Sequence, residues 1–181
     1  VLFANDTEVA LRSAVNLVNT LDSDGLEHLL TPSDLDRFLD EEGFTGSRTH
    51  DDDELASVRE LRARLRSLWD ASEDEAVALV NDLLRESQAL PQLVKHDHWD
   101  WHLHATTPEA PLAQRMGTEA AMAFVDVIRS KELDRLRICA ADDCEAVLID
   151  LSKNRSKRYC DTGNCANRAH VRAYRERKAA S

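Results

Sequence analysis

The four cysteines of this chain stand as two equal pairs near its C-terminus, Cys139-x4-Cys144 and Cys160-x4-Cys165, with fifteen residues between the pairs. Each pair sets two sulfurs on one short loop, and two such loops can present four thiolates to a single tetrahedral Zn²⁺. Four sulfur ligands leave no open coordination position, so the expected ion is structural, one per chain. None of the first 138 residues is a cysteine, which is unlike the even spread of a secreted disulfide scaffold. At 181 residues the chain can bury a real core without covalent staples. No apolar run reaches the length of a membrane span, and no basic n-region with an apolar h-region opens the sequence. Val1 is an unusual first residue and points to a few native residues missing upstream. These features together predict a soluble, cytoplasmic protein with reduced, metal-bound thiols and no membrane partner.

The net charge of −11 conceals a division. Residues 1–138 carry 14 basic and 28 acidic side chains, whereas residues 139–181 carry nine and six. Within 151–178 only Asp161 and Glu176 oppose nine Lys/Arg. An acidic body repels nucleic acid in general, so a concentrated basic segment implies a specific contact surface.

The body has helical periodicity. Ala10, Ala14, Leu17, Val18 and Leu21 share one face of a helix over 9–21, with Asp6 or Thr7 available as its cap. Thr31-Pro32 starts a second helix that ends at Gly43, and 45–53 has the composition of a polar loop. The third and clearest stripe runs Leu55, Val58, Leu61, Leu65, Leu68, Trp69, with Arg59, Arg62, Arg64 and Arg66 facing elsewhere. Ser72 and Glu75 have capping-box spacing ahead of a fourth helix. After Pro91, strict alternation from His98 to His104 predicts a strand, with Leu93-Val94-Lys95 as its hairpin partner. That phase sends Trp99, Trp101 and Leu103 to the core and His98, Asp100, His102 and His104 outward. Thr107-Pro108 is expected to start a long helix ending near Ile128.

Between the cysteine pairs, Glu145–Leu151 is β-prone, Ser152–Ser156 is a turn, and Lys157–Tyr159 is expected to return as a second strand. Beyond Cys165 the residues suit a helix on which Val171 and Tyr174 can pack inward. Knuckle, hairpin and a helix carrying the last ligand in its first turn is a treble-clef-like layout. Arg168, Arg172 and Arg175 lie at i, i+4 and i+7 of that helix and share a face, with Asn167 beside them and Arg155, Lys157 and Arg158 adding charge from the hairpin. Such a face can clamp phosphates and reach base edges. Its alternative is a solvated face whose arginines are tied up in ion pairs, with Asn167 bracing the finger's own turns.

These residues resemble the CGNR zinc finger. The run Arg155-x-x-Arg158-Tyr159-Cys160-x4-Cys165-Ala166-Asn167-Arg168 carries the family's signature at its last ligand, with Ala166 where the signature has glycine. Alanine takes helical dihedrals readily, so the fold is expected to survive. Upstream, Asn16-Leu-Val-Asn19-Thr20-Leu21, the Leu55–Trp69 helix and the Trp-x-Leu strand resemble the ABATE-type domain that precedes this finger. Members of the family are described as stress-related transcriptional regulators of bacteria.

The expected fold is mainly α with a small β-hairpin: a helical N-terminal domain over 1–136, hairpin at about 91–104, then a treble-clef-like four-cysteine zinc finger over 137–181. The resemblance implies a DNA-binding regulator, not an enzyme. One small finger buries little surface, so a homodimer on paired half-sites is expected. Asn16, Asn19 and Thr20 either satisfy backbone groups or line a pocket for a small-molecule effector. Two further readings stand beside this one. In the first, the finger is a protein-interaction or thiol redox-sensing module without DNA contact. In the second, the His98–His104 strand holds another metal, as three imidazoles and a carboxylate could.

Overall fold

Local signals set most helix boundaries of the chain, whose computed structural model describes residues 2–95 and 100–179. Helix α1 (Asn5–Val18) starts a turn earlier than its apolar spacing indicates, after Ala4. Thr7 does not cap it; its hydroxyl donates to Asp126 at 2.7 Å. Helix α2 (Pro32–Glu42) opens on a capping box between Thr31 and Asp34 and closes on Gly43 at φ 73°, the left-handed conformation that glycine adopts without strain. Helix α3 (Asp52–Arg66), capped by Asp51, continues as a 3₁₀ turn over Ser67–Trp69. Helix α4 (Glu73–Glu86) opens on the Ser72/Glu75 box. Such caps stabilise a helix by about 1 kcal/mol each.

Helix α5 (Leu112–Arg129) begins later than Thr107-Pro108 suggests. A helix started there would place Pro111 where its missing N–H breaks the first hydrogen bond. Residues 107–110 instead form a turn. Helix α5 is the hub, packing on α1, α3 and α4. Small residues permit that approach: a Cβ added at Gly117 would meet Leu61 Cδ1 at 3.1 Å. Phe124, almost fully buried, meets Trp69 edge-on with ring centroids 5.8 Å apart.

One arginine departs from the expected pattern. Arg62 is not outward but buried, held bidentately by Glu27 at 2.6 and 2.5 Å and bonded to Thr20 Oγ1 at 3.0 Å. Arg59 donates to the Leu29 carbonyl, and the two guanidiniums lock the 20–30 segment onto α3. Burying the guanidinium is tolerable because its charge is paired and its donors are used.

A hairpin forms where the alternation leads, but its strands are β1 (Gln92–Val94) and β2 (His102–His104), the second starting at His102, and they pair antiparallel with Leu93 opposite Leu103. The phase is reversed. His102 is buried, while Trp101 and Leu103 are 66% and 42% exposed. The hairpin's inner face borders a cavity rather than packed side chains, and imidazole nitrogens find partners there: His102 meets the Asp100 carbonyl at 2.7 Å and His104 at 3.0 Å. The predicted places of His98 and Trp99 lie outside the described residues.

A 3₁₀ turn over Leu133–Arg135 leads to a second hairpin, β3 (Leu136–Ile138) against β4 (Val147–Ile149). The β-prone run therefore pairs backwards across the first cysteine loop, not forwards with Lys157–Tyr159, which forms no strand. Asp150 supplies the reason. Fully buried, it accepts from the backbone N–H groups of Ser152 and Lys157 at 3.0 Å each and faces Arg137 at 3.0 Å, so the chain curls around a carboxylate. Burial alone would raise that carboxyl, but the bonds from Ser152 and Lys157 and the charge of Arg137 hold it below its ordinary range.

All three residues of β4 are buried, and they face opposite ways. Val147 and Ile149 join the helical core, whereas Leu148 packs with the cysteines. The body grips β4: Asn19 bonds both the N–H and the C=O of Val147 at 2.9 Å on the edge away from β3, and Trp69 Nε1 donates to the Leu148 carbonyl at 2.9 Å. Asn19→Ala strips both Val147 bonds and should destabilise the protein by about 2 kcal/mol in urea unfolding, whereas Asn16→Ala, which loses one exposed bond to Glu42, should change it by less than about 0.5 kcal/mol.

Candidate functional site

The four cysteine sulfurs all lie within 4.8 Å of one another, and no disulfide joins them. A tetrahedral Zn²⁺ with bonds of about 2.3 Å sets its sulfurs about 3.8 Å apart. Cys144 and Cys160 Sγ are 3.8 Å apart, and Cys160 and Cys165 are 3.6 Å apart. The donor set and its spacing fit the ion. Cys139 directly follows β3, Cys144 lies further along the first loop, Cys160 sits on the second, and Cys165 opens helix α6 (Cys165–Ala179). Outer bonds orient the sulfurs: Cys160 N–H donates to Cys139 at 3.4 Å, Thr162 to Cys160 at 3.5 Å, and Arg168 to Cys165 at 3.1 Å. Ser23 comes from the body, reaching Cys144 Sγ at 3.6 Å and accepting from Glu145 N–H at 2.8 Å. Burial pushes the Cys165 thiol up to about 12, so zinc must displace protons to bind.

Ala166 takes its place in the first turn of α6, so the fold is kept without the signature glycine. Cys165 is the only buried residue of this helix. Val171 and Tyr174 do not pack inward; they are 48% and 59% exposed. Most of the basic residues have protein partners. Arg168 forks onto Asp143 at 2.8 and 3.2 Å, and Arg172 meets Asp142 at 2.7 Å. Arg155 bridges to Glu132 and Asp134, and Lys157 bonds Asp161 at 2.6 Å. Arg158 lies 5.9 Å over the Tyr159 ring, and Asn167 donates to Asn164 Oδ1 at 2.6 Å. Arg175 and Lys178 have no ion-pair partner among the described residues. Asp142 and Asp143, on the first cysteine loop, were outside the basic window that the sequence outlined.

Asn16, Asn19 and Thr20 are not brought together around a cavity. Asn16 is exposed beside Glu42, Asn19 clamps β4, and Thr20 holds Arg62. Among the described residues, the four cysteines are the only group close enough to hold a metal. The body does contain a cavity, of about 1140 Å³, between α1, α5, the 42–46 turn, the first hairpin and 105–110. Ser13 and Glu119 line it, and neither was singled out by sequence. A serine inside an apolar helical stripe was the available signal. Gly46 closes one side at φ 97°, where a Cβ would lie 2.5 Å from Arg115 Nη1, so glycine alone lets that guanidinium bond the carbonyls of Thr45, Ser47 and Ala110.

The site and fold define a protein with a structural zinc finger docked on a helical domain. The ABATE family model, described as "Putative stress-induced transcription regulator", matches residues 11–131, and the CGNR zinc finger model matches residues 135–178. The chain belongs to the ABATE family, and its C-terminal module is a CGNR zinc finger whose cofactor is a structural zinc ion held by the four cysteines. No curated protein matches the chain. Among the described residues no helix is long and apolar enough to cross a membrane.

Metal analysis should return about one zinc per chain, and Cys160→Ser should abolish it and melt the finger. A second stability signature belongs to Glu119, whose carboxyl burial pushes up from 4.5 to about 7 against the pull of Arg115. The folded state therefore holds this proton more tightly than the unfolded chain, and stability falls as pH rises through that window. Glu119→Gln should raise the melting temperature at about pH 8 and leave it nearly unchanged near pH 5.

Proposed function

We propose that this chain regulates transcription by binding DNA through helix α6 and the adjoining second cysteine loop, with residues 1–136 as the effector-sensing and dimerising unit and 137–181 as the DNA-binding unit. The observation that carries this reading is α6 itself, a helix about 22 Å long that leaves the zinc centre with every residue after Cys165 partly or fully exposed and five basic side chains among them. Arg168, Arg172 and Arg175 would engage phosphates, Arg155, Lys157 and Arg158 would extend the contact, and Asn167 would reach a base edge. The ion pairs these residues make are exposed, and exposed pairs contribute roughly 0–1 kcal/mol each, so a phosphate can replace Asp142 or Asp143 at little cost. The ABATE and CGNR matches support the regulator class.

Those same ion pairs support a second reading, a protein-interaction or thiol redox-sensing module. With Arg168 and Arg172 occupied, exposed Val171 and Tyr174 offer an apolar stripe to a protein partner.

Genomic-library binding selection followed by salt titration separates the two. If about six phosphates are neutralised, log K against log salt should have a slope of about −5. The Arg168→Ala/Arg172→Ala variant should lose DNA affinity while keeping its zinc, and Asp142→Asn/Asp143→Asn should gain affinity by freeing both guanidiniums. Binding that is salt-independent, or untouched by both variants, would remove α6 as the DNA-contacting face.

A further inference from the structure

The cavity in the body has an inner end. Beside its main volume lies a recess of about 10 Å³, lined by Ala14, Leu17, Leu65, Met116 and Ala120, with Ala10, Ser13, Phe44 and Glu119 shared between the two. That volume suits one water-sized group. Its walls are hydrocarbon and thioether except for one hydroxyl and one carboxyl.

Both polar groups lack partners. Ser13 is 5% exposed, and its Oγ is the one buried side-chain oxygen or nitrogen among the described residues without a hydrogen bond. Glu119 makes no hydrogen bond or ion pair among the described residues. Arg115, the nearest cation on its helix, spends its donors on the carbonyls of Thr45, Ser47 and Ala110. Natural structures rarely leave a buried polar group unsatisfied, so the Ser13 hydroxyl, with the half-buried Glu119 carboxyl beside the same recess, points to something that fills the site. Burial beside the recess also pushes this carboxyl up to about 7, against the pull of Arg115.

The geometry points to a ligand with a primary ammonium head and an apolar body. We infer that the head sits in the recess between Glu119 and Ser13, while the body lies in the main cavity against Val9, Ala10, Phe44, Leu84, Met122 and Ala123. An ammonium matches the recess in size, supplies three donors to a carboxylate and a hydroxyl oxygen, and neutralises the Glu119 carboxylate, which has no ion-pair partner among the described residues. An anionic ligand would set like charge beside Glu119. A neutral alcohol would satisfy the bonds but not the charge. This inference deepens the effector half of the proposed function and moves it away from Asn16, Asn19 and Thr20.

The test uses the full zinc-loaded chain without DNA, so its failure leaves the DNA reading standing, and loss of DNA binding in turn leaves this site standing. Calorimetric titration at about pH 8 with phenethylamine, phenethyl alcohol and 3-phenylpropionate varies only the head group. The amine should bind about tenfold or more tighter than the alcohol, and the carboxylate should not bind. Glu119→Gln should remove the amine's advantage while leaving the alcohol's affinity in place, and Ser13→Ala should weaken the amine by a few-fold. Unchanged circular dichroism and zinc content show that each variant is folded. Equal affinity for amine and alcohol, amine binding indifferent to Glu119→Gln, or no binding of any probe at millimolar concentration would overturn the assignment, the last leaving a bridging water as the occupant.

Discussion

Strand β4 is the constraint on which the rest of the molecule depends. Three residues long, it uses the two-residue period of a strand to belong to two cores at once, Val147 and Ile149 to the helices and Leu148 to the cysteines. Its backbone pairs with β3 on one edge and with Asn19 on the other, Trp69 also bonds the Leu148 carbonyl, and all three residues are buried. The zinc finger is thereby not a bead on a string. To move against the body it must expose two core side chains and leave backbone groups unpaired, which costs far more than flexing a linker. Ser23, bonded to both Cys144 and the Glu145 backbone, ties the first cysteine loop to the same body segment.

Electrostatics in the finger follow from this packing. The metal gathers the first cysteine loop and α6, and the loop brings Asp142 and Asp143 to Arg172 and Arg168. A segment that counts as strongly basic along the chain is partly self-neutralised in three dimensions. Because the pairs are exposed and weak, the neutralisation is a guard that a polyanion can displace rather than a lock.

Across the body and the finger, charge is handled in a different way at each buried site. Arg62 has Glu27, Arg135 has Glu132, and Asp150 has backbone donors and Arg137. Glu119 stands apart, with Ser13 beside the same recess, and nothing in the fold requires a carboxyl there. A helical domain that satisfies its other buried charges and leaves this one open has a polar site whose complement lies outside the chain.

Much of this was legible in the sequence wherever the physics is local. The cysteine spacing, the capping boxes at Thr31 and Ser72 and the α3 stripe depend on residues a few positions apart, and they stand where the pattern puts them, whereas the first hairpin keeps its place with a second strand that starts at His102 and the opposite face inward. The start of α5 was missed because Pro111 outweighed Pro108, a competition between two valid local signals. What the sequence could not carry was contact between distant segments. The burial of Arg62 needs Glu27, the inversion of the β2 face needs a cavity behind it, and the pairing of β4 with β3 needs Asp150 to curl the chain away from Lys157–Tyr159. The sequence by itself determined that four thiolates would hold one zinc and that the body would be helical, since donor chemistry and periodicity suffice for both. The tertiary structure alone decided which charges remain free, because that depends on which acidic side chains the packed chain brings within reach of each arginine.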